Sequence, residues 1–142
     1  MWEYEHSIET TAGRDALWEL WADVARWPDW NAGVATIRAD GPFAVGTRIT
    51  MTPPGEDAVE LRLAEVEPGA LFIDVMDAGD FTVRTTHRLT TLDGGRTRIG
   101  YRTEIDGPAA DRVGPELGPA ITADFPDVLA ALAALAESRA PR

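Results

Sequence analysis

Apolar and polar positions change period along this chain, and each change marks an element. From Trp2 to Glu9 they alternate, with Trp2, Tyr4, His6 and Ile8 on one side and Glu3, Glu5, Ser7 and Glu9 on the other. That period of two predicts a half-buried strand. Thr11 is placed to cap a helix in which Leu17, Leu20, Trp21 and Val24 recur at steps of three and four, until Pro28 forbids further regular helix. Two short helices bent near Asp23 fit best. Short extended runs then return at Val34–Ala39, Thr47–Thr52, Ala58–Val66, Leu71–Met76, Phe81–Leu92 and Arg96–Ile105, separated by Gly- and Pro-rich turns. Connections this short make neighbouring strands antiparallel.

The last element is helical, since Ile121, Phe125, Val128, Leu129, Leu132 and Leu135 form one continuous apolar stripe. Gly118-Pro119 is the expected start. Pro126 lies within the stripe, so the helix either kinks one turn before it or begins near Asp124; the unbroken stripe favours the kink. The SRAPR tail is expected to fray. The predicted fold class is α+β in one domain, residues 1–142: a curved seven-stranded antiparallel sheet wrapped around a long C-terminal helix, with two short helices between the first two strands.

Turn chemistry fixes one register. Asp93-Gly94-Gly95 as a three-residue hairpin loop pairs Leu92 with Arg96, which sets Leu89 opposite Ile99, His87 opposite Tyr101, Thr85 opposite Thr103 and Val83 opposite Ile105 on one face. On the other face Arg84 meets Glu104 as a candidate ion pair, Thr86 meets Arg102 and Thr90 meets Arg98. If the first strand closes against the last, Tyr4 and His6 join the face that carries His87. Asp74 would have a raised pKa if it pointed inward, but Leu71, Ile73 and Val75 claim the apolar side of their strand, so Asp74 is expected outside.

Composition removes much chemistry. There are 24 acids against 13 bases, a net charge of −11, which disfavours nucleic acid and stable association with anionic membranes. The chain has no Cys, no Lys and no Gln, and its only serines are Ser7 and Ser138; thiolate sites, Schiff-base lysines, P-loops and serine elbows are therefore excluded. Two separated histidines without helical spacing argue against a metal site. No cofactor is implied. No secretory signal is visible and no continuous run approaches the length of a membrane span, so a soluble cytoplasmic protein is expected.

Four of five tryptophans, Trp18, Trp21, Trp27 and Trp30, fall within LWELWADVARWPDWN. Such clustering suggests a wall around something. Trp18 and Trp21 are expected to fill the core, and Trp27 and Trp30, flanking a Pro-broken turn, to stand at the mouth of a pocket. His87 and Tyr101 are the candidate polar anchors, as an imidazole beside a phenol orients a carbonyl or relays a proton; two such residues also satisfy each other or water in an ordinary core. Met51, Phe72, Met76, Phe81, Thr85, Thr103, Phe125 and Leu129 are candidate lining residues, with plain core packing as the alternative for the apolar ones.

The opening YEHSIETTAGRDALWELWADVARWPDWN, the Glu67-Pro68 turn, the THRLTTLDGGRTRI hairpin and the Pro-containing terminal helix together resemble the START-like, helix-grip superfamily, in particular its bacterial polyketide cyclase/dehydrase branch. The resemblance implies a deep apolar cavity between the long helix and the sheet, holding a lipid, polyketide or similar molecule. It also implies that an arginine often assists inside the pocket of related cyclases. Arg26 and Arg48 are nearest in position, but strand alternation puts Arg48 outside. Three functions remain open: binding of a small hydrophobic or aromatic molecule, a polyketide cyclase or dehydratase using a His87/Tyr101 acid-base pair, or a protein-interaction module with a vestigial cavity. An exposed apolar mouth could equally be a homodimer contact.

Overall fold

A computed structural model describes residues 1–139; the tail expected to fray lies partly outside them. The chain runs through β1 (Trp2–Thr10), α1 (Arg14–Ala22), a 3-10 segment (Val24–Asp29), β2 (Thr36–Ala39), β3 (Arg48–Thr52), β4 (Val59–Glu67), β5 (Leu71–Asp77), β6 (Thr82–Thr91), β7 (Thr97–Asp106), α2 (Ala110–Thr122) and α3 (Phe125–Ser138). The seven strands form one antiparallel sheet in the order β1-β7-β6-β5-β4-β3-β2. First and last strands are thus neighbours, the condition under which Tyr4 and His6 join the face that carries His87.

The bend near Asp23 is present, between α1 and the 3-10 segment. The cap is not where it was expected. Gly13 precedes the helix without a side-chain cap, because the hydroxyl of Thr10 already accepts the Ala12 N–H at 3.1 Å and Thr97 donates to the Ala12 carbonyl at 2.9 Å. Those bonds hold the turn extended for two residues past Thr11.

The β6–β7 register follows the hairpin chemistry: Leu89 faces Ile99, His87 faces Tyr101, Thr85 faces Thr103 and Val83 faces Ile105. Gly94 and Gly95 take φ of 75° and 76°, and the Leu92 N–H donates to Arg96 O at 2.7 Å; only glycine adopts two successive such conformations cheaply. The expected Arg84–Glu104 ion pair does not form. Glu104 lies instead 3.8 Å from Arg102, which also meets Glu3 at 2.7 Å and Glu5 at 3.7 Å.

In β5 the expected faces are exchanged. Phe72 pairs with His87 and Asp74 with Thr85, so Phe72, Asp74 and Met76 face the helices while Leu71, Ile73 and Val75 face outward. Leu71 and Ile73 are nonetheless only 5% exposed, since long side chains occupy the neighbouring outward positions: Arg62 and Arg84 flank Val75, and Arg88 lies beside Leu71. Arginine stems cover apolar surface while their heads stay wet.

The terminal helix starts earlier than Gly118-Pro119, at Ala110, and it is two helices. They meet at Ala123–Asp124, and Pro126 falls in the first turn of α3, where its missing N–H costs nothing. The apolar stripe continues across the break because Phe125 opens α3. Pro115 and Pro119 lie inside α2 and remove two ladder donors. Packing offsets that loss: a Cβ built on Gly114 or Gly118 would lie 2.5 Å from atoms of Trp2, so these two glycines, one turn apart, form the flat bed for that indole. Among the described residues Ala110–Ser138 is the one helical stretch long and apolar enough to cross a membrane. Here it lies against β1, β7 and α1.

The main core gathers Leu17, Trp21, Ile49, Leu63, Phe72, Ile99, Leu129 and Leu132 between the helices and the sheet. A smaller cluster of Val83, Ile105 and Ala110 holds Trp2, Phe81 and Leu117 beneath α2.

Candidate functional site

Two rows of side chains cross the helix-facing side of the sheet. One runs Phe72 (β5), His87 (β6), Tyr101 (β7), His6 (β1); the next runs Asp74, Thr85, Thr103, Tyr4. The middle of a sheet core is thus polar, with Asp74, Thr85, His87 and Thr103 all buried.

The fold satisfies most of these groups itself. Thr85 and Thr103 bond each other at 3.0 Å. Tyr101 does not bond His87 but accepts the Trp21 indole N–H at 3.2 Å, while its ring meets the imidazole edge-on at 4.5 Å. The imidazole stacks on Phe72 with centroids 3.9 Å apart and planes 6° from parallel. Its Nδ1 lies 3.3 Å from the Phe72 carbonyl oxygen. A carbonyl can only accept, so Nδ1 carries the hydrogen and Nε2 keeps its lone pair. That lone pair is on the nitrogen 3.8 Å from Asp74 Oδ2.

Asp74 has no hydrogen-bond donor among the described residues. Burial alone raises its pKa to about 7, the direction desolvation imposes on a carboxylate. Burial lowers His87 to about 3, against smaller opposing effects of the backbone at Phe72 and Thr85. Tyr101 is driven up by burial, and the Trp21 bond opposes that rise. Burial also raises Asp124, at the α2–α3 break. Near neutrality the centre therefore holds a neutral imidazole with a free lone pair and a carboxyl poised between its two forms.

Aromatic rings enclose this centre. Phe72 meets Phe43 at 5.0 Å, Trp21 at 5.1 Å and Trp27 at 5.9 Å, and Phe125 closes on Tyr101 at 5.4 Å. These rings lie between the helices and the sheet, the region where the family resemblance implied a ligand. Two surface concavities, of about 460 and 610 Å³, lie on the outer face of the sheet.

Within the tryptophan cluster Trp21 fills the core as expected, fully buried, while the other three depart from expectation. Trp27 and Trp30 are each 5% exposed, and Trp27 donates to Trp21 O at 2.9 Å; they are core, not rim. Trp18 is the partly exposed one, edge-on to Trp21 and Phe43. The Pro28 turn folds the second tryptophan pair inward, where the Nε1–H of Trp30 is buried without a partner.

Of the other candidates, Phe125 and Leu129 reach the core from α3, and Met51 packs partly buried against it. Met76 touches both clusters, and Phe81 belongs to the smaller one with Trp2. Arg26 and Arg48 are exposed and pair with Asp29 and Glu60. Asp74 is the residue sequence reasoning missed. The signal was available: carrying the His87 register back through the tight Asp77–Thr82 turn sets Asp74 opposite Thr85, on the face of His87. Among the described residues no three His, Cys, Asp or Glu come together to hold a metal ion.

The profile of a family described as polyketide cyclase / dehydrase and lipid transport matches residues 1–137. No curated protein matches the sequence. Among solved structures, norcoclaurine synthase from Thalictrum flavum, in complex with dopamine and hydroxybenzaldehyde, superposes with a TM-score of 0.77 at 19% identity over 99% of this chain and 88% of that one. A START superfamily protein from Mycobacterium smegmatis gives 0.73 at 12% identity, over 96% and 97% of the two chains. The di-domain ARO/CYC BexL of the BE-7585A biosynthetic pathway gives 0.72 at 21% identity, over 94% of this chain and 45% of that one.

Proposed function

Because the chain belongs to the polyketide cyclase / dehydrase and lipid transport family, we propose that it binds a small hydrophobic or aromatic molecule against the helix-facing side of its sheet. The ligand's polar head meets Asp74, His87 and Tyr101, and its apolar body lies among Trp27, Phe72, Phe125 and Leu129. One observation carries this reading: Asp74 is buried at the centre of the sheet with no donor from the fold. Its side chain keeps 12% of its surface accessible, and there a ligand hydroxyl or amine supplies the missing donor.

Binding requires the rings to part, and the α2–α3 break beside Phe125 is where the covering layer is least continuous. Native mass spectrometry of protein isolated from its host tests the reading directly. A retained small molecule, released on denaturation and absent from Asp74→Leu, is the expected result; apo protein, together with no change in tryptophan fluorescence on adding aromatic ligands, would refute it.

A second reading is favoured by the 3.8 Å approach of His87 Nε2 to Asp74. A carboxyl poised between its two forms is able to take a proton from a carbon next to a carbonyl and give one to a departing hydroxyl, while the neutral imidazole beside it, too weak a base for that step, accepts a hydrogen bond from the substrate. Turnover that disappears in His87→Gln while ligand binding persists would establish the enzyme over the carrier.

A further inference from the structure

The outer face of the sheet carries a different chemistry. The chain's 13 bases are all arginines, and Arg84, Arg88, Arg98 and Arg102 stand around one cleft of about 460 Å³. Strand register creates it. Ser7 lies opposite Gly100, and Gly100 opposite Arg88, so two adjacent positions of one cross-strand row carry almost no side chain. A Cβ added at Gly100 would meet only the Ser7 Cβ, at 3.8 Å. Long guanidinium side chains around this notch form its walls.

Its charges are unevenly matched. Arg102 is held by Glu3, Glu5 and Glu104, and Arg98 lies 3.5 Å from Glu9. Arg84 and Arg88 have no carboxylate within 4 Å among the described residues. They stand four positions apart on β6, about 13 Å along a strand, on the same face with Thr86 between them. Side chains of that reach converge on one molecule lying across Thr86.

A protein of net charge −11 repels anions at long range. Only a multiply charged ligand held by close, bidentate guanidinium contacts overcomes that repulsion. A second copy docking the same face would set arginine against arginine. We propose that the outer-face cleft binds a diphosphate or similarly spaced bis-phosphate group, clamped between Arg84 and Arg88, on the side of β6 opposite His87.

The test uses inorganic pyrophosphate as probe, titrated into the full chain by calorimetry, with wild type, the double variant Arg84→Gln/Arg88→Gln and Arg14→Gln on α1. Saturable binding that weakens at least about tenfold in the double variant, is unchanged in Arg14→Gln and declines with added salt is the expected result. A second arm pellets the same proteins with vesicles of a phosphatidylinositol bisphosphate in phosphatidylcholine. Co-sedimentation that the double variant loses identifies a lipid phosphate as the natural anion, and its absence beside pyrophosphate binding identifies a free metabolite. No saturable response at millimolar pyrophosphate, or an equal response in all three proteins, overturns the proposal. Circular dichroism melting of each variant confirms that the proteins compared are folded.

Discussion

Replacing Asp74 with Asn should make the protein more stable, and only above acidic pH. The carboxyl has an ordinary pKa of 3.8 and one of about 7 in the fold. A raised folded-state value means that the native state holds its proton more tightly than the unfolded chain. Its stability contribution is complete below pH 3.8 and is lost as pH rises through about 7. About three pKa units at 1.36 kcal/mol each give roughly 4 kcal/mol as the full cost of an ionised Asp74. Relaxation and water penetration reduce it, so a gain of roughly 2 kcal/mol for Asp74→Asn at pH 8.5 is expected. His87 works in the opposite sense, but it is present in both proteins and largely cancels in their difference. Urea unfolding at pH 4.5, 6, 7 and 8.5 measures that difference, which should be near zero at the first pH and grow to the last. Parallel stability curves would refute the placement of an ionisable Asp74 in the core. A gain in stability accompanied by a loss of ligand binding would show why so costly a group is kept.

His87→Gln should flatten the acid limb, because burial lowers the histidine to about 3 and its stability, present above the ordinary imidazole value of 6.5, is lost as pH falls through that window; a variant melting curve that still falls steeply between pH 6 and 4 would contradict this. Gly114→Ala should destabilise by about 1–3 kcal/mol despite the better helix propensity of alanine, since its Cβ would meet Trp2 at 2.5 Å. A rise in Tm instead would mean that Trp2 does not rest on that helix. Trp21→Phe trims the buried indole to a benzene ring and removes the donor to Tyr101, at a cost of about 1 kcal/mol for the hydrogen bond plus about 1–2 kcal/mol for the cavity left behind. The tyrosine ultraviolet spectrum should then titrate at higher pH, because the donor that opposes the rise caused by burial is gone, and an unchanged profile would show that the bond is absent.

Turn chemistry made the β6–β7 pairing legible in the sequence, because Gly94 and Gly95 permit a single tight loop and every register behind it follows by subtraction. Across the Asp77–Thr82 turn the expectation for β5 rests on composition instead. There both faces are apolar: Leu71, Ile73 and Val75 on one, Phe72 and Met76 on the other. Asp74 is the sole dissenter, and the hydrophobic pattern assigned it outward when the fold buries it. α2 was hidden for a different reason, since Pro115, Pro119 and two glycines read as loop while packing against Trp2 supplies what intrinsic propensity lacks. Tryptophans 27 and 30 were misplaced because a proline-broken turn looks exposed in one dimension, whereas here it is the means of tucking two indoles under the sheet's lid.

The strand order has a consequence for synthesis on the ribosome. β1 is translated first, yet its only ladder partner, β7, begins at Thr97, so nearly ninety residues must be added before it can pair. At about 5–20 residues per second that wait is on the order of ten seconds. Until then Trp2, Tyr4, His6 and Ile8 lack the sheet that carries them in the finished fold, and the glutamates at 3, 5 and 9 lack the arginines they later bridge to, so that segment stays strongly acidic, the kind of charge that discourages strand-to-strand association.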